Sequence, residues 1–191
     1  MNPNTAEIVA KLWRECKTLQ SAGVSYSNYV NELTYLLFLK MLEETGQETR
    51  LPNRHSWRKL ATMEGGDQLE YYTAMLLELG NPKKTTDPVT LAIFTDAMTH
   101  IRLPKDLKTL TTNIDKLDWF TAREDGLGDL YEGLLEKTTS ATKSKAGQYF
   151  TPRALIDSII GLLKPQPGEI IQDPAAGTGG FLIAADSAIK D

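Results

Sequence analysis

At 191 residues the chain is long enough for one ordinary domain, or for one domain and part of another. Hydrophobic residues make up 41% and charged residues 24%, a globular balance that excludes a disordered or fibrous chain. The formal net charge of −4 excludes a nucleic-acid binder that is basic throughout, but it leaves room for a local basic stretch.

Such a stretch exists. Residues 1–136 hold 15 basic and 20 acidic side chains, whereas residues 137–191 hold 6 and 5. Between Lys137 and Arg153 four basic residues and no acidic ones occur. This segment reads either as a solvated loop or as a DNA-facing one, with Lys137, Lys143 and Lys145 as the candidate contacts. The single cysteine, Cys16, lies on an apolar helical stripe and allows no disulfide within the chain, which suits a reducing, cytoplasmic location. With only His55 and His100 beside it, no metal site is expected. Met1–Thr5 lacks the basic start and apolar run of a signal peptide. The longest apolar stretch, around Tyr35–Leu42, is short and carries Lys40, so no membrane span is expected.

In chain order, Ile8, Val9, Leu12, Trp13, Cys16 and Leu19 recur at helical spacing, with Asn4 and Glu7 as a start and Gly23 as a stop. A second helix runs from about Ser25 to Gly46; its run Tyr35–Leu39 is apolar nearly all round, which marks it as the central, most buried helix. Residues 46–56 read as a polar loop containing His55. Trp57–Met63 reads as a short helix ended by Gly65-Gly66, and Gln68–Leu79 as a helix stopped by Gly80-Asn81-Pro82. Asp87 and Pro88 open a helix expected to reach Ile101, with Val89, Ile93, Ala97 and Ile101 on its inner face. Leu103–Asp118 and Leu127–Lys137 complete a helical domain over residues 1–137.

Residues 138–146 are Thr, Ser, Lys and Ala without apolar periodicity and read as a linker or mobile loop. The character then changes. Thr151 as cap and Pro152 in the first turn start a helix to about Leu163, Lys164–Gly168 turns, and Glu169–Gln172 reads as a short strand. A glycine-rich loop, Asp173–Gly180, leads into a helix over Phe181–Ile189. Helix, strand, glycine loop and helix are the opening of an α/β unit over residues 147–191, incomplete because one strand cannot make a parallel sheet. The expected fold is therefore mainly α, with the start of a Rossmann-like domain at its end.

Two motifs carry chemistry. In Asp173-Pro174-Ala175-Ala176-Gly177-Thr178-Gly179-Gly180-Phe181, glycines permit positive φ and let a ligand approach the backbone, while the following helix offers free N–H groups to an anion. A P-loop would need Lys after its glycine, where Gly180 stands here. A dinucleotide fold would need a third glycine where Leu182 stands. A plain tight turn is the remaining alternative. The second motif, Ala146 to Arg153, reads on its own as a loop entering a capped helix. Its adjacent aromatics, Tyr149 and Phe150, are also suited to packing on the apolar body of a ligand.

Together, Gly147-Gln148-Tyr149-Phe150-Thr151-Pro152-Arg153 and the glycine loop resemble, in order and spacing, the methylation subunit of type I restriction-modification systems. Tyr29–Leu33, Leu36–Lys40 and Asp125–Glu132 are similar to the helical region of that family. The resemblance implies a site-specific DNA adenine methyltransferase using S-adenosylmethionine (SAM), with DNA, a separate specificity subunit and a restriction subunit as partners. It implies that Gln148, Tyr149, Phe150, Thr151, Pro152 and Arg153 contact the cofactor, above a loop of Asp173, Gly177, Thr178, Gly179 and Gly180. The family's catalytic Asn-Pro-Pro-aromatic motif is absent: Asn2-Pro3 and Asn81-Pro82 are followed by Asn4 and Lys83. No catalytic residue is therefore assigned within the chain, which is expected to be an inactive N-terminal part. A stand-alone or fused adenine methyltransferase, and a non-catalytic interaction module, are the alternatives at this level.

Overall fold

In a computed structural model of the chain, residues 7–14, 23–117, 133, 137, 151–177 and 179–190 are described. Residues 7–14 are helical (α1). They are followed by α2 (Tyr26–Glu44), two short 3-10 turns (Glu48–Arg50 and Pro52–Arg54), α3 (Trp57–Thr62), α4 (Gly65–Leu79), α5 (Pro88–Phe94), α6 (Pro104–Asp115), α7 (Arg153–Leu163) and α8 (Gly180–Lys190). The protein is mainly α, as its periodicity predicts.

The α2 helix begins where Ser25 accepts a hydrogen bond from the Asn28 amide at 3.2 Å, and ends beside Gly46, whose φ of 68° only glycine adopts without cost. Tyr29, Leu33, Leu36 and Leu39 are fully buried, which makes α2 the core helix. Each such side chain contributes about 1.5–3 kcal/mol. The Tyr29 hydroxyl donates to the Leu12 carbonyl and so fastens α1 to α2. Helices α3, α4 and α6 close round α2 with Trp57, Leu60, Tyr72, Met75, Leu76, Leu107, Leu110 and Ile114.

Among the described residues, the buried polar side-chain atoms of this core are paired, apart from the Oε1 of Gln68. Lys40, only 4% exposed, holds Glu43, Glu44 and Asp115 at 2.6, 2.7 and 2.9 Å; Trp57 donates its indole N–H to the same Asp115 oxygen at 2.9 Å. Burial works against the Lys40 charge, but the three carboxylates outweigh it and hold the ammonium above its ordinary range. Glu32 is completely buried on α2. It accepts from the Tyr72 hydroxyl at 2.9 Å and from the His100 amide, and burial pushes its carboxyl up despite these bonds.

Several expectations are corrected. Gly65 and Gly66 open α4 instead of closing α3, because Gly65, at φ 62°, reverses the chain into it. The α5 helix stops at Phe94, not Ile101. Asp96 is left-handed at φ 56°, and the His100 amide turns to Glu32 instead of to a helical carbonyl. Of the expected inner face, Ala97 and Ile101 are buried and Ile93 packs against the core, whereas Val89 is 48% exposed and Thr90 and Phe94 are buried in its stead. His55 is not a loop residue in water. It is buried, with Nε2 2.9 Å from Glu78 and Nδ1 3.1 Å from the Tyr71 hydroxyl.

The cap of α7 is Pro152, one residue later than expected. Residues 169–172 form no strand, and no strand occurs among the described residues. A strand exists only by pairing with a neighbour, and here Ile170 is 98% exposed. Cys16, Asn4 and residues 118–132 and 138–150 lie outside the described residues. Of the expected helix Leu127–Lys137, only Gly133 and Lys137 are described, both helical.

The α4–α5 joint rests on Gly80. A side-chain carbon there would fall 2.2 Å from the Phe94 carbonyl oxygen, so the residue that ends α4 must have none.

Candidate cofactor site

The site is framed by α7 and α8. Ile156 and Ile160, one helical turn apart, meet Ala185 in a small apolar cluster completed by Phe181 and Ala184. This packing fixes the start of α8 beside the start of α7. The three- and four-residue spacing of these apolar positions was the available signal for it, and reading the motifs alone missed it.

Between the helices runs the glycine loop. Asp173 accepts the Ala175 amide at 2.9 Å, which turns the chain just after residues 169–172. The Gly179 amide donates to the Ala176 carbonyl at 2.7 Å, and the Ile183 amide to the Gly179 carbonyl at 2.9 Å, closing the first turn of α8. Gly177 and Gly179 have φ of 54° and 80°. A side-chain carbon at either would have no neighbour nearer than 3.9 Å. Glycine is thus demanded here by backbone conformation, and the space above the loop stays open. By helix geometry the first amides of α8 have no acceptor within the helix, and they are a ready anion site.

Arg153 joins the two motifs: its Nη1 lies 3.5 Å from the carbonyl oxygen of Gly180, the first residue of α8. Gly180 itself is buried. Thr151 and Pro152 are exposed at the mouth of α7, and Lys137 is exposed on its helix. Gln148, Tyr149, Phe150, Thr178, Lys143 and Lys145 lie outside the described residues. The structure therefore brings together Arg153, Asp173, Gly177, Gly179 and Gly180. Among the described residues there is no group of His, Cys, Asp and Glu that could hold a metal ion, and no helix long and apolar enough to cross a membrane.

The model of the HsdM N-terminal domain matches residues 8–140, more than half of the chain. The chain belongs to the methylase-subunit family of type I restriction enzymes. Within this family its second matching region is the N-6 DNA methylase model over residues 122–191, which contains both motifs. The type I restriction enzyme EcoKI methylase subunit of Escherichia coli K12 is 52% identical over 98% of the chain, which spans 36% of that relative's length. Two solved structures are similar. One is the type I restriction enzyme EcoKI M protein, with 45% identity, a TM-score of 0.54, and coverage of 96% of this chain and 32% of that one. The other belongs to a structural study of complex assembly and conformational transition of the type I restriction-modification system. It shows 25% identity and a TM-score of 0.65, over 96% of this chain and 41% of that one. The chain thus corresponds to about the first third of a type I methylase subunit.

Proposed function

We propose that the chain is the N-terminal part of a modification subunit that methylates the exocyclic amine of adenine in DNA, acting with a specificity subunit and a restriction subunit. The observation that carries the reading is the meeting of two separate motifs at one place, through Arg153 and Gly180, inside the region matched by the N-6 DNA methylase model. Residues 1–137 form the helical domain, 138–146 the linker, and 147–191 the opening of the Rossmann-like SAM domain. The exposed apolar side chains of the last segment, among them Leu162, Leu163 and Ile170, support this division, since such a unit buries them under a sheet.

The residues present fit SAM. The open space over Gly177 and Gly179 admits a ligand against bare backbone, and the amino terminus of α8 suits its carboxylate. Arg153 and Asp173 fix the loop's shape, and Gln148, Tyr149, Phe150, Thr151, Pro152 and Thr178 are proposed as further cofactor contacts on the strength of the motif resemblance. SAM, when bound, supplies an electrophilic methyl group. The chain's own residues hold and orient it, and the target base must leave the DNA stack to reach it. Because the 191 residues contain no Asn-Pro-Pro sequence, the chain alone is expected to be inactive; weak SAM binding is a separate expectation for it.

The test is calorimetry with SAM on the chain and on the complete subunit, alongside adenine methylation by the subunit with its specificity partner. Methylation that survives replacement of both Gly177 and Gly179 by Val would refute the site; tight SAM binding by the chain alone would contradict the weak binding expected of it. Reversing the charge of Lys143 and Lys145 in the complete enzyme is expected to weaken DNA binding at low salt. Unchanged affinity and salt dependence would remove these lysines from the DNA interface.

A further inference from the structure

The α4 helix turns Gln68, Tyr72, Met75, Leu76 and Leu79 into the core. At about 100° per residue, roughly the opposite side holds Gly66, Leu69, Glu70, Thr73, Ala74 and Leu77, and these six line a shallow groove. A helix side that faces only water is ordinarily charged. This side carries one charge among six residues, and Leu77 is 65% exposed. Two rows at four-residue spacing run along it, Gly66–Glu70–Ala74 and Leu69–Thr73–Leu77. Rows of this kind form ridges with a groove between them, which accepts a ridge of another helix at a crossing of about −50° and an axial distance of about 8–10 Å. Glycine, alanine and threonine keep the groove shallow enough for such an approach.

The charge around the groove selects the occupant. From Glu64 to Leu79 the sequence has four carboxylates and neither Lys nor Arg. Glu78 is satisfied by Lys84 and His55, and Glu64 lies 3.5 Å from Lys108. Asp67 and Glu70 have no ion pair among the described residues. A second copy of the same face would set acid against acid. We infer that the outer face of α4 is a docking surface for a basic amphipathic helix of a partner protein, with alanine- and leucine-sized side chains in the groove and Lys or Arg against Asp67 and Glu70. This inference is independent of the methyl-transfer reading.

The experiment uses the 191-residue chain and two labelled synthetic helical peptides with the same Leu/Ala stripe, one flanked by Lys and the other by Glu. Fluorescence anisotropy is expected to show binding of the Lys peptide only. Leu77→Gln and Ala74→Gln change exposed, uncharged positions; each is expected to weaken that binding by about tenfold, the equivalent of about 1.4 kcal/mol, while circular dichroism stays native. Replacing Asp67 and Glu70 together by Lys is expected to transfer the preference to the Glu peptide. Equal binding of both peptides, or of neither, overturns the inference. So does Lys-peptide binding that ignores Leu77→Gln, which would be unspecific charge attraction. Concentration-dependent dimerisation abolished by Leu77→Gln overturns it in favour of a second copy.

Discussion

Arg153 reaches from the first turn of α7 to the carbonyl oxygen of Gly180 at the start of α8, 3.5 Å away. The contact spans the glycine loop like a brace, since the loop hangs between these two helix ends. Arg153→Ala is expected to leave the helical core untouched and to loosen the loop by about 1 kcal/mol, in the range of an ordinary hydrogen bond, because the 3.5 Å contact is long. Calorimetry on the complete subunit checks this: SAM affinity falls about fivefold by the same constant, whereas the melting temperature of the helical domain does not move. A Lys at this position restores part of the affinity.

Gly179 has φ of 80° and space around it. Gly179→Ala therefore introduces backbone strain without collision, at about 1–2 kcal/mol. Weaker SAM binding without loss of helical content is expected by calorimetry and circular dichroism. A global loss of helix would mean that the loop holds up more of the fold than its exposure implies.

Lys40 gathers three carboxylates from α2 and α6 at the indole of Trp57. Lys40→Met removes the cation these acids share, leaving Glu43 its contact with exposed Arg58, and is expected to destabilise the chain by about 3 kcal/mol. Asp115→Asn keeps an acceptor for Trp57 and is expected to lower stability by only about 1 kcal/mol. Urea unfolding measures both; equal effects would show that the indole bond, and not the charge, is what matters.

Two buried or half-buried acids give opposite pH responses. Glu32 has its carboxyl raised by burial above the ordinary 4.5. Its contribution is complete below that value and is lost as pH rises through the raised folded one. Urea midpoints of the wild type are expected to fall over that range, and those of Glu32→Gln to stay level. Glu78, held down to about 2 by Lys84, Asn53 and His55, contributes above the ordinary 4.5. That contribution is lost as pH falls toward 2, and Glu78→Gln is expected to flatten this acid limb.

The helices of the first two thirds were legible because each has a stripe at helical spacing and most have a cap: Ser25 and Asp87 do what their residue types predict. What was not legible depends on partners distant in sequence. Nothing near Ile101 announces that the His100 amide will be taken by Glu32, 68 residues earlier, so the end of α5 was misplaced. His55 looked polar because Glu78 and Tyr71, which enclose it, lie 23 and 16 residues away. At the candidate site the glycines were readable from type and spacing alone. The expected strand at 169–172 failed for the opposite reason: Ile170 and Ile171 have the right composition, but a strand's existence depends on its neighbour.

Gly80 sits where α4 and α5 come closest, and the obstacle it faces is a main-chain carbonyl, not a side chain. A crowded side chain can be trimmed by a second substitution; a carbonyl is present whatever residue occupies position 94. No substitution at position 94 can therefore relieve the joint. Among all the positions that shape this domain, it is one where variation has to stop at the first step.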